Sequence, residues 1–473
     1  MTHPKLLTEY DACDLVEMLQ AQKVTVRAVL EACLARITTI NPSVNAIVSL
    51  RPNADLLAEA DAMDAAGPRP DQPLWGLPMA IKDLEDTKGL RSTSGSPIFT
   101  DHIPDADSIM VARLRAAGVL IIGKTNVPEF GLGSHSYNPI FGVTRNPYDT
   151  STSAGGSSGG AAVALATGMV SLADGSDMMG SLRNPAGWNN VYGFRPSAGL
   201  VAKDPQGDAW SQGLSTNGPM ARSPRDMDMM LKVIGQPDPR QPISLPAYNG
   251  MEKINPKNVT IGWIRDWSGY LPMENGVLAQ CEVALDILRN LGCEIVEYTP
   301  KIAPESLWDS WCILRSHSVA LSSIALYRDP QKRAHLKDAH VWEIERGLSY
   351  STTDIHHAGI IRSDWFREIA RLTHINLLAL PSAQLFPFNA DLDWPKSIAG
   401  KQMDSYHRWM EVVVPASLIG LPAVSIPAGF GAKNLPMGLQ LIGKNAQDAQ
   451  VLGLADLYHQ ATQLPQNHPP RPE

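Results

Sequence analysis

Gly155-Gly156-Ser157-Ser158-Gly159-Gly160 closes a segment, from Ser151 onward, that is dense in Gly, Ser and Thr. Glycines permit backbone conformations that cost other residues energy, and they let a loop approach a neighbouring chain closely. Two serines in such a loop can relay protons. Beyond it, Ala161 to Thr167 reads as a small-residue helix able to pack tightly on a sheet, and Val170–Ala173 as a short strand. A second Gly/Ser-containing loop follows, Asp174-Gly175-Ser176-Asp177-Met178-Met179-Gly180-Ser181-Leu182-Arg183-Asn184-Pro185-Ala186. A serine after a tight turn, with consecutive free N–H groups before it, suits a nucleophile with its own oxyanion hole. Upstream lies Trp75-Gly76-Leu77-Pro78-Met79-Ala80-Ile81-Lys82-Asp83, where Leu77–Ile81 reads as a buried strand leading into Lys82. Burial disfavours the charged form of a lysine, and a neutral lysine can act as a general base. Taken singly, each segment has a plainer reading: a flexible turn, an ordinary loop, a lysine reaching out from a strand end.

Outward from these segments, strands and helices alternate. Leu15, Leu19, Val26, Leu30, Leu34 and Ile37 recur at helical spacing, with Asn41-Pro42 as the expected stop. A short Ala- and Asp-rich helix spans about 55–66, Ser108 to Ala117 is amphipathic, and Val119–Ile122 is a strand-like apolar run. Ser223-Pro224-Arg225-Asp226 supplies a helix start: a Ser cap, Pro at the first position and an acid three residues on. Val259–Ile264 reads as a strand, Gly276 to Leu291 as a helix and Glu294–Tyr298 as a strand. This alternation means an α/β fold with a mostly parallel or mixed sheet. The stretch from about 300 to 410 alternates less regularly and holds Trp308, Trp311, Trp342, Trp365, Trp394 and Trp409. It reads as a cover over the sheet and a substrate wall, although aromatic core packing is the plainer use of any one Trp. The Pro-rich tail from Pro465 is expected to fray.

With 44% hydrophobic and 19% charged residues, the 473-residue chain can bury a sizeable core. A net charge of -8 argues against a surface built for nucleic acid, which needs clustered Lys and Arg. Cys13, Cys33, Cys281, Cys293 and Cys312 are odd in number and form no CxxC, so they read as idle thiols of a reducing compartment. The N-terminus has no apolar run of signal-peptide length. Val412 to Ala432 is uncharged, but Pro415, Pro422, Pro427, Gly420 and Gly429 would break a lipid-exposed helix. Two buried segments joined by a turn explain it better, and the expected setting is cytoplasmic, with no membrane partner.

Two motifs mislead. Gly118-Val-Leu-Ile-Ile-Gly123-Lys124-Thr125 matches the phosphate-loop pattern by letter, but its middle residues favour a buried strand rather than a loop with free amides. Gly156-Ser157-Ser158-Gly159-Gly160 matches the nucleophile-elbow pattern with Ser158 at its centre, yet Ser151 to Gly155 reads as a loop where a hydrophobic strand is needed.

Together, in this order, the segments resemble the amidase signature family: the lysine strand, the GGSSGG loop, then the G-[ST]-D-x-x-G-S-[IL]-R segment. Further matches are Gly123-Lys124-Thr125-Asn126-Val127-Pro128-Glu129-Phe130, Gly193-Phe194-Arg195-Pro196-Ser197, Gly218-Pro219-Met220-Ala221-Arg222, Gly420-Leu421-Pro422-Ala423 and Gly438-Leu439-Gln440-Leu441-Ile442-Gly443. The resemblance covers about 70–230 and 410–460. It implies one domain over 1–473, an amidase signature fold with a large mixed β-sheet core flanked by α-helices, and neither metal nor organic cofactor. It implies Ser181 as nucleophile, Ser157 on a cis peptide as proton shuttle and Lys82 as base. It places the oxyanion hole on the backbone N–H groups of Met178, Met179, Gly180 and Ser181, with Ser158, Asp177 and Arg183 in support.

The family usually has glycine where Met179 stands. If that position requires φ > 0, Met is strained there; alternatively, Met178 and Met179 form a soft pocket wall. Phe130, Tyr137 and Ile140 are wall candidates by their place beside the motifs. The expected activity is hydrolysis of small or aryl amides through a Ser181 acyl-enzyme. Carbamate (urethane) and ester hydrolysis share that route. The glutaminase subunit of a tRNA-dependent amidotransferase and a non-catalytic scaffold are the other readings. The expected partner is a small-molecule amide, ester or carbamate, without nucleic acid, and the sequence leaves a homo-oligomer open.

Overall fold

The computed structural model describes residues 5–204, 208–210 and 213–472. Its centre is an eight-stranded mixed sheet. From edge to edge the strands are Glu294–Glu297, Thr260–Trp263, Leu377–Pro381, Pro436–Ile442, Ala423–Phe430, Tyr192–Arg195, Thr216–Ala221 and Leu172–Asp177. The first three run parallel to one another and every other neighbouring pair is antiparallel. Helices pack against it, among them Val277–Leu291, Gly159–Ala166 and Asp448–Thr462. A second, three-stranded sheet orders Ile47–Val48, Leu120–Thr125 and Pro78–Lys82, with the last strand at its edge. The two sheet edges meet: the Asp174 carboxylate accepts the Lys82 main-chain N–H at 3.0 and 3.2 Å.

Several expectations change here. The strand expected at Val170–Ala173 is Leu172–Asp177, because six residue pairs with Thr216–Ala221 carry the ladder through the polar residues. Ser151 to Gly155 is expected to be a loop, but its first three residues belong to the strand Asp149–Ser153, paired with Arg145–Asn146. It is a polar ribbon outside the main sheet, so the hydrophobic strand that an elbow needs is still missing. The phosphate-loop lookalike is the buried strand Leu120–Thr125, and Lys124 Nζ donates to the Glu85 carbonyl and to Thr87 Oγ1. The helical run expected up to Asn41-Pro42 is two helices, Ala12–Gln20 and Val26–Val44, and the second passes that Pro. Its last turn tolerates Pro, and the Asn41 side chain binds the amides of Ala46 and Ile47 beyond it. The C-terminal tail is held rather than frayed: Leu464–Asn467 is helical, and the His468 carbonyl accepts from Tyr148 Oη at 2.7 Å.

The region after 300 is less irregular than expected. It folds into the long helices Pro304–Arg328, Asp338–Ser349 and Thr352–Ala370. Trp308, Trp311, Trp365 and Trp409 are buried in the main core, so core packing is their use, while Trp342 is exposed. Leu132, Val319, Ala320, Leu336 and Ile344 form a small apolar cluster of their own, with Phe130 against it. This cluster fastens the first two of these helices over the loop that contains Phe130. Among the described residues no helix is long and apolar enough to cross a membrane.

Candidate active site

Lys82 ends the edge strand of the small sheet with its side chain fully buried. Its Nζ lies 2.8 Å from Ser157 Oγ, 2.7 Å from Ser158 Oγ and 3.0 Å from Ser176 Oγ. A neutral amine has two N–H groups and one lone pair, so two of these hydroxyls can accept while the third donates. Burial pushes the lysine down to about 7, against the upward pull of Asp174, Asp177 and Glu85. Burial also raises the Asp174 carboxyl to about 6, opposed by the Lys82 amide it accepts.

Ser157 and Ser158 stand at the start of the helix Gly159–Ala166, and the Gly156–Ser157 peptide is cis. Ser158 occupies the N-cap position, yet its Oγ serves Lys82 instead of capping the helix. Gly160 lets this helix dock, because a Cβ there would stand 2.4 Å from the Asn126 amide nitrogen. Ser181 follows the edge strand of the large sheet, and its carbonyl accepts from the Ser158 amide at 3.2 Å. A small-sheet edge, a helix start and a large-sheet edge thus converge on one point. Ser157 and Ser181 are almost covered, at 3% and 6% exposure, so the serines sit in a largely dry environment.

Asp177 organises the turn that leads to Ser181. Its carboxylate accepts from the Gly180 amide at 2.9 Å, the Leu182 amide at 3.2 Å and Arg183 Nε at 3.0 Å. Arg195 Nη1 lies 3.2 Å away. Burial would raise this carboxyl, but Arg183 and Arg195 outweigh it and hold it well below the usual carboxylate range. Arg183 extends the brace to Gln440 Oε1 at 2.6 Å and Ser417 Oγ at 2.7 Å.

The turn corrects one expectation. The Gly180 N–H is committed to Asp177, so it is not free for an oxyanion. Among the described residues no acceptor is found for the amides of Met178, Met179 and Ser181. The left-handed position is Gly180, with φ +77 and Val413 packed against it, and Met179 is not among the residues of positive φ. Methionine in place of glycine at 179 is therefore unstrained. Its side chain lies in the main core, while Met178 is half-buried and turns its Sδ to Arg315 Nη1 at 3.5 Å.

The three wall candidates separate. Phe130 precedes Gly131, where a Cβ would stand 3.5 Å from Ser157 Oγ, so this loop flanks the serines. Phe130 itself turns to the cover and packs on His340 with ring centroids 4.9 Å apart. Tyr137 is half-buried against His135 and under Lys337. Ile140 stands between the paired strands Tyr137–Asn138 and Gly142–Val143, where its amide donates to Asn138 Oδ1 at 3.0 Å. Sequence reading missed Ser176, Asp174 and Arg195. A strand reading of 172–177 would have found the first two, since positions 174 and 176 share a face.

A sequence profile of the Amidase family matches residues 28–452. The chain belongs to the amidase signature family. It is an enzyme of that family acting on amide C–N bonds. It is 34% identical over 462 residues to a glutamyl-tRNA(Gln) amidotransferase subunit of Thermus thermophilus, covering 92% of this chain and 93% of the relative. The structure of a bacterial aryl acylamidase of the same family superposes with a TM-score of 0.87 at 26% identity, covering 97% of this chain and 99% of that one. The corresponding amidotransferase subunit of Thermotoga maritima superposes with 0.78 at 25% identity, covering 96% and 95%.

Proposed function

We propose that this hydrolase cleaves small or aryl-substituted carboxylic amides through a Ser181 acyl-enzyme. The observation that carries the reading is the buried Lys82 amine, 2.8 Å from Ser157 Oγ and titrating near 7. Neutral Lys82 takes the proton of Ser157 as Ser157 takes that of Ser181. Ser181 Oγ then adds to the carbonyl. The free amides of Met178, Met179 and Ser181 receive the oxyanion, a donor of this kind contributing roughly 3–4 kcal/mol in other hydrolases. Ser157 passes the proton on to the leaving nitrogen, and water releases the acyl group by the reverse route. Esters and carbamates fit the same steps, a carbamate yielding an amine and carbon dioxide.

A second reading is favoured by the curated relatives, which are named as amidotransferase subunits. It would make free glutamine the ammonia source. Glutamine carries an ammonium and a carboxylate, each calling for an unpaired opposite charge. Near the serines several buried charges already have an opposite neighbour: Asp177 is paired with Arg183 and Arg195, Arg315 lies by Glu343, and Lys337 feels the charge of Glu129. This pairing supports the small-amide reading. The test is purified chain alone, given an acyl 4-nitroanilide or glutamine. Arylamine release without ammonia release supports the proposal; the reverse supports the amidotransferase reading.

A further inference from the structure

One buried polar cluster takes no part in the proposed acyl transfer. Arg315, on the helix Pro304–Arg328, is 3% exposed. Its Nη2 donates to Tyr406 Oη, and its Nε lies 3.6 Å from Glu343 Oε1 without a hydrogen-bond partner. Tyr406 Oη in turn donates to Glu343 Oε2 at 2.8 Å, and Ser316 Oγ donates to Oε1 at 2.7 Å. A guanidinium has five N–H donors. Here one meets a phenol and another meets only the Met178 thioether, a weak acceptor. Leaving such donors unmatched in a dry site is costly.

The cluster also has a telling position. Met178, which shields Arg315, belongs to the turn that leads to Ser181. Tyr406 faces the other bracket of the site: a Cβ on Gly133 would stand 3.9 Å from its Cδ2, two residues from the Gly131 that abuts Ser157. Arg315 and Tyr406 thus span the gap between the two segments that flank the serines. The charge there is already balanced by Glu343, and the nearby Lys337 gives its Nζ to the Leu132 carbonyl and its main-chain N–H to Glu129, whose charge offsets its own.

We propose that Arg315 is a specificity-determining residue whose free N–H groups, reached past the flexible Met178 side chain, bind an uncharged acceptor oxygen carried by the substrate beyond its scissile carbonyl. An ether, ester or carbamate oxygen fits this description. A carboxylate does not, because it would enter the field of Glu343, and the second cation nearby, Lys337, is already offset by Glu129. The inference rests on the amide-hydrolase reading of the same site.

The experiment compares three 4-nitroanilides on the full chain: methoxyacetyl, its methylene counterpart butyryl, and succinyl. Expected is a kcat/KM for methoxyacetyl about tenfold or more above butyryl, with succinyl the poorest, as one matched hydrogen bond to a charged donor gives. In Arg315→Lys the methoxyacetyl-to-butyryl ratio falls to about one. That ratio would not move if Arg315 only held the fold. Turnover by the wild type with no preference, or with succinyl preferred, overturns the role of Arg315 and needs no variant to fold. A preference retained in a folded Arg315→Lys overturns it as well. Absence of any anilide turnover by the wild type overturns the amidase reading itself, and this inference with it.

Discussion

At the seam between the two sheets, buried polar groups are wired to one another. Asp177 gathers two main-chain amides and two arginines, and Asp174 joins Lys82 to the edge of the large sheet. Over the cover, the helices Pro304–Arg328 and Asp338–Ser349 share one buried polar cluster around Arg315 and Glu343, but they meet the loop at Phe130 chiefly through a small apolar cluster separate from the main core, with Lys337 bonded to Glu129 and Leu132 beside it. Hydrogen bonds to charged groups are directional and fix atoms to within tenths of an ångström. Apolar contacts are non-directional and tolerate sliding. The seam therefore suits chemistry, which needs fixed geometry, and the cover suits a wall that adapts to a substrate.

The largest expected effect breaks the seam chemically. Ser181→Ala and Lys82→Ala should each lower kcat on an aryl amide by about 10⁴-fold or more with the fold intact by circular dichroism, on the pattern of other hydrolase triads. Retained activity in Ser181→Ala would move the nucleophile elsewhere. Next in size is the electrostatic brace. Asp177→Ala leaves Arg183 and Arg195 buried without their carboxylate, and should cost about 3–5 kcal/mol in denaturant unfolding. A loss below about 1 kcal/mol would show that the turn does not depend on that charge.

The cover should respond differently. Ile344→Ala removes a fully buried side chain from the small cluster and should cost about 2–4 kcal/mol by cavity formation. Hydrogen exchange should show that loss confined to 338–349, which would open below the global unfolding energy. Uniform loss across the chain would make the cover part of one cooperative core and erase the contrast.

The smallest effect on the rate is in pH. With Lys82 near 7, kcat/KM should rise about tenfold per unit below that value and level off above about pH 8. Stability should move the same way. The unfolded lysine keeps its proton to about 10.4, so between about 7 and 10.4 the unfolded state binds more protons and stability grows with pH. Below about 7 both states are protonated and the cost of the buried charge stands in full. A rate flat from pH 6 to 9, with chemistry limiting, would remove Lys82 as the base.

The same contrast sets what the sequence could reveal. Gly155–Gly160, Lys82 and the segment around Ser181 announce themselves because tight turns and close approach demand particular residue types. The mixed sheet follows from strand–helix alternation. The cover is legible as a Trp-rich stretch but its long helices are not: Pro304–Arg328 is apolar on more than one side and carries scattered Trp, so its helical period is weak. The extension of the edge strand through Asp174–Asp177 was hidden because polar residues fill a strand that propensity alone reads as a loop, and only pairing with Thr216–Ala221 holds it. The commitment of the Gly180 amide is hidden because spacing alone does not say which amide the Asp177 carboxylate accepts.

The central claim is that Ser181, activated through Ser157 by Lys82, is the nucleophile. Labelling with a fluorophosphonate, followed by peptide mass spectrometry, tests it most directly. The account predicts a single adduct on Ser181, absent in Ser181→Ala and formed far more slowly in Lys82→Ala. An adduct on Ser158, or one on Ser181 whose rate does not depend on Lys82, would contradict it.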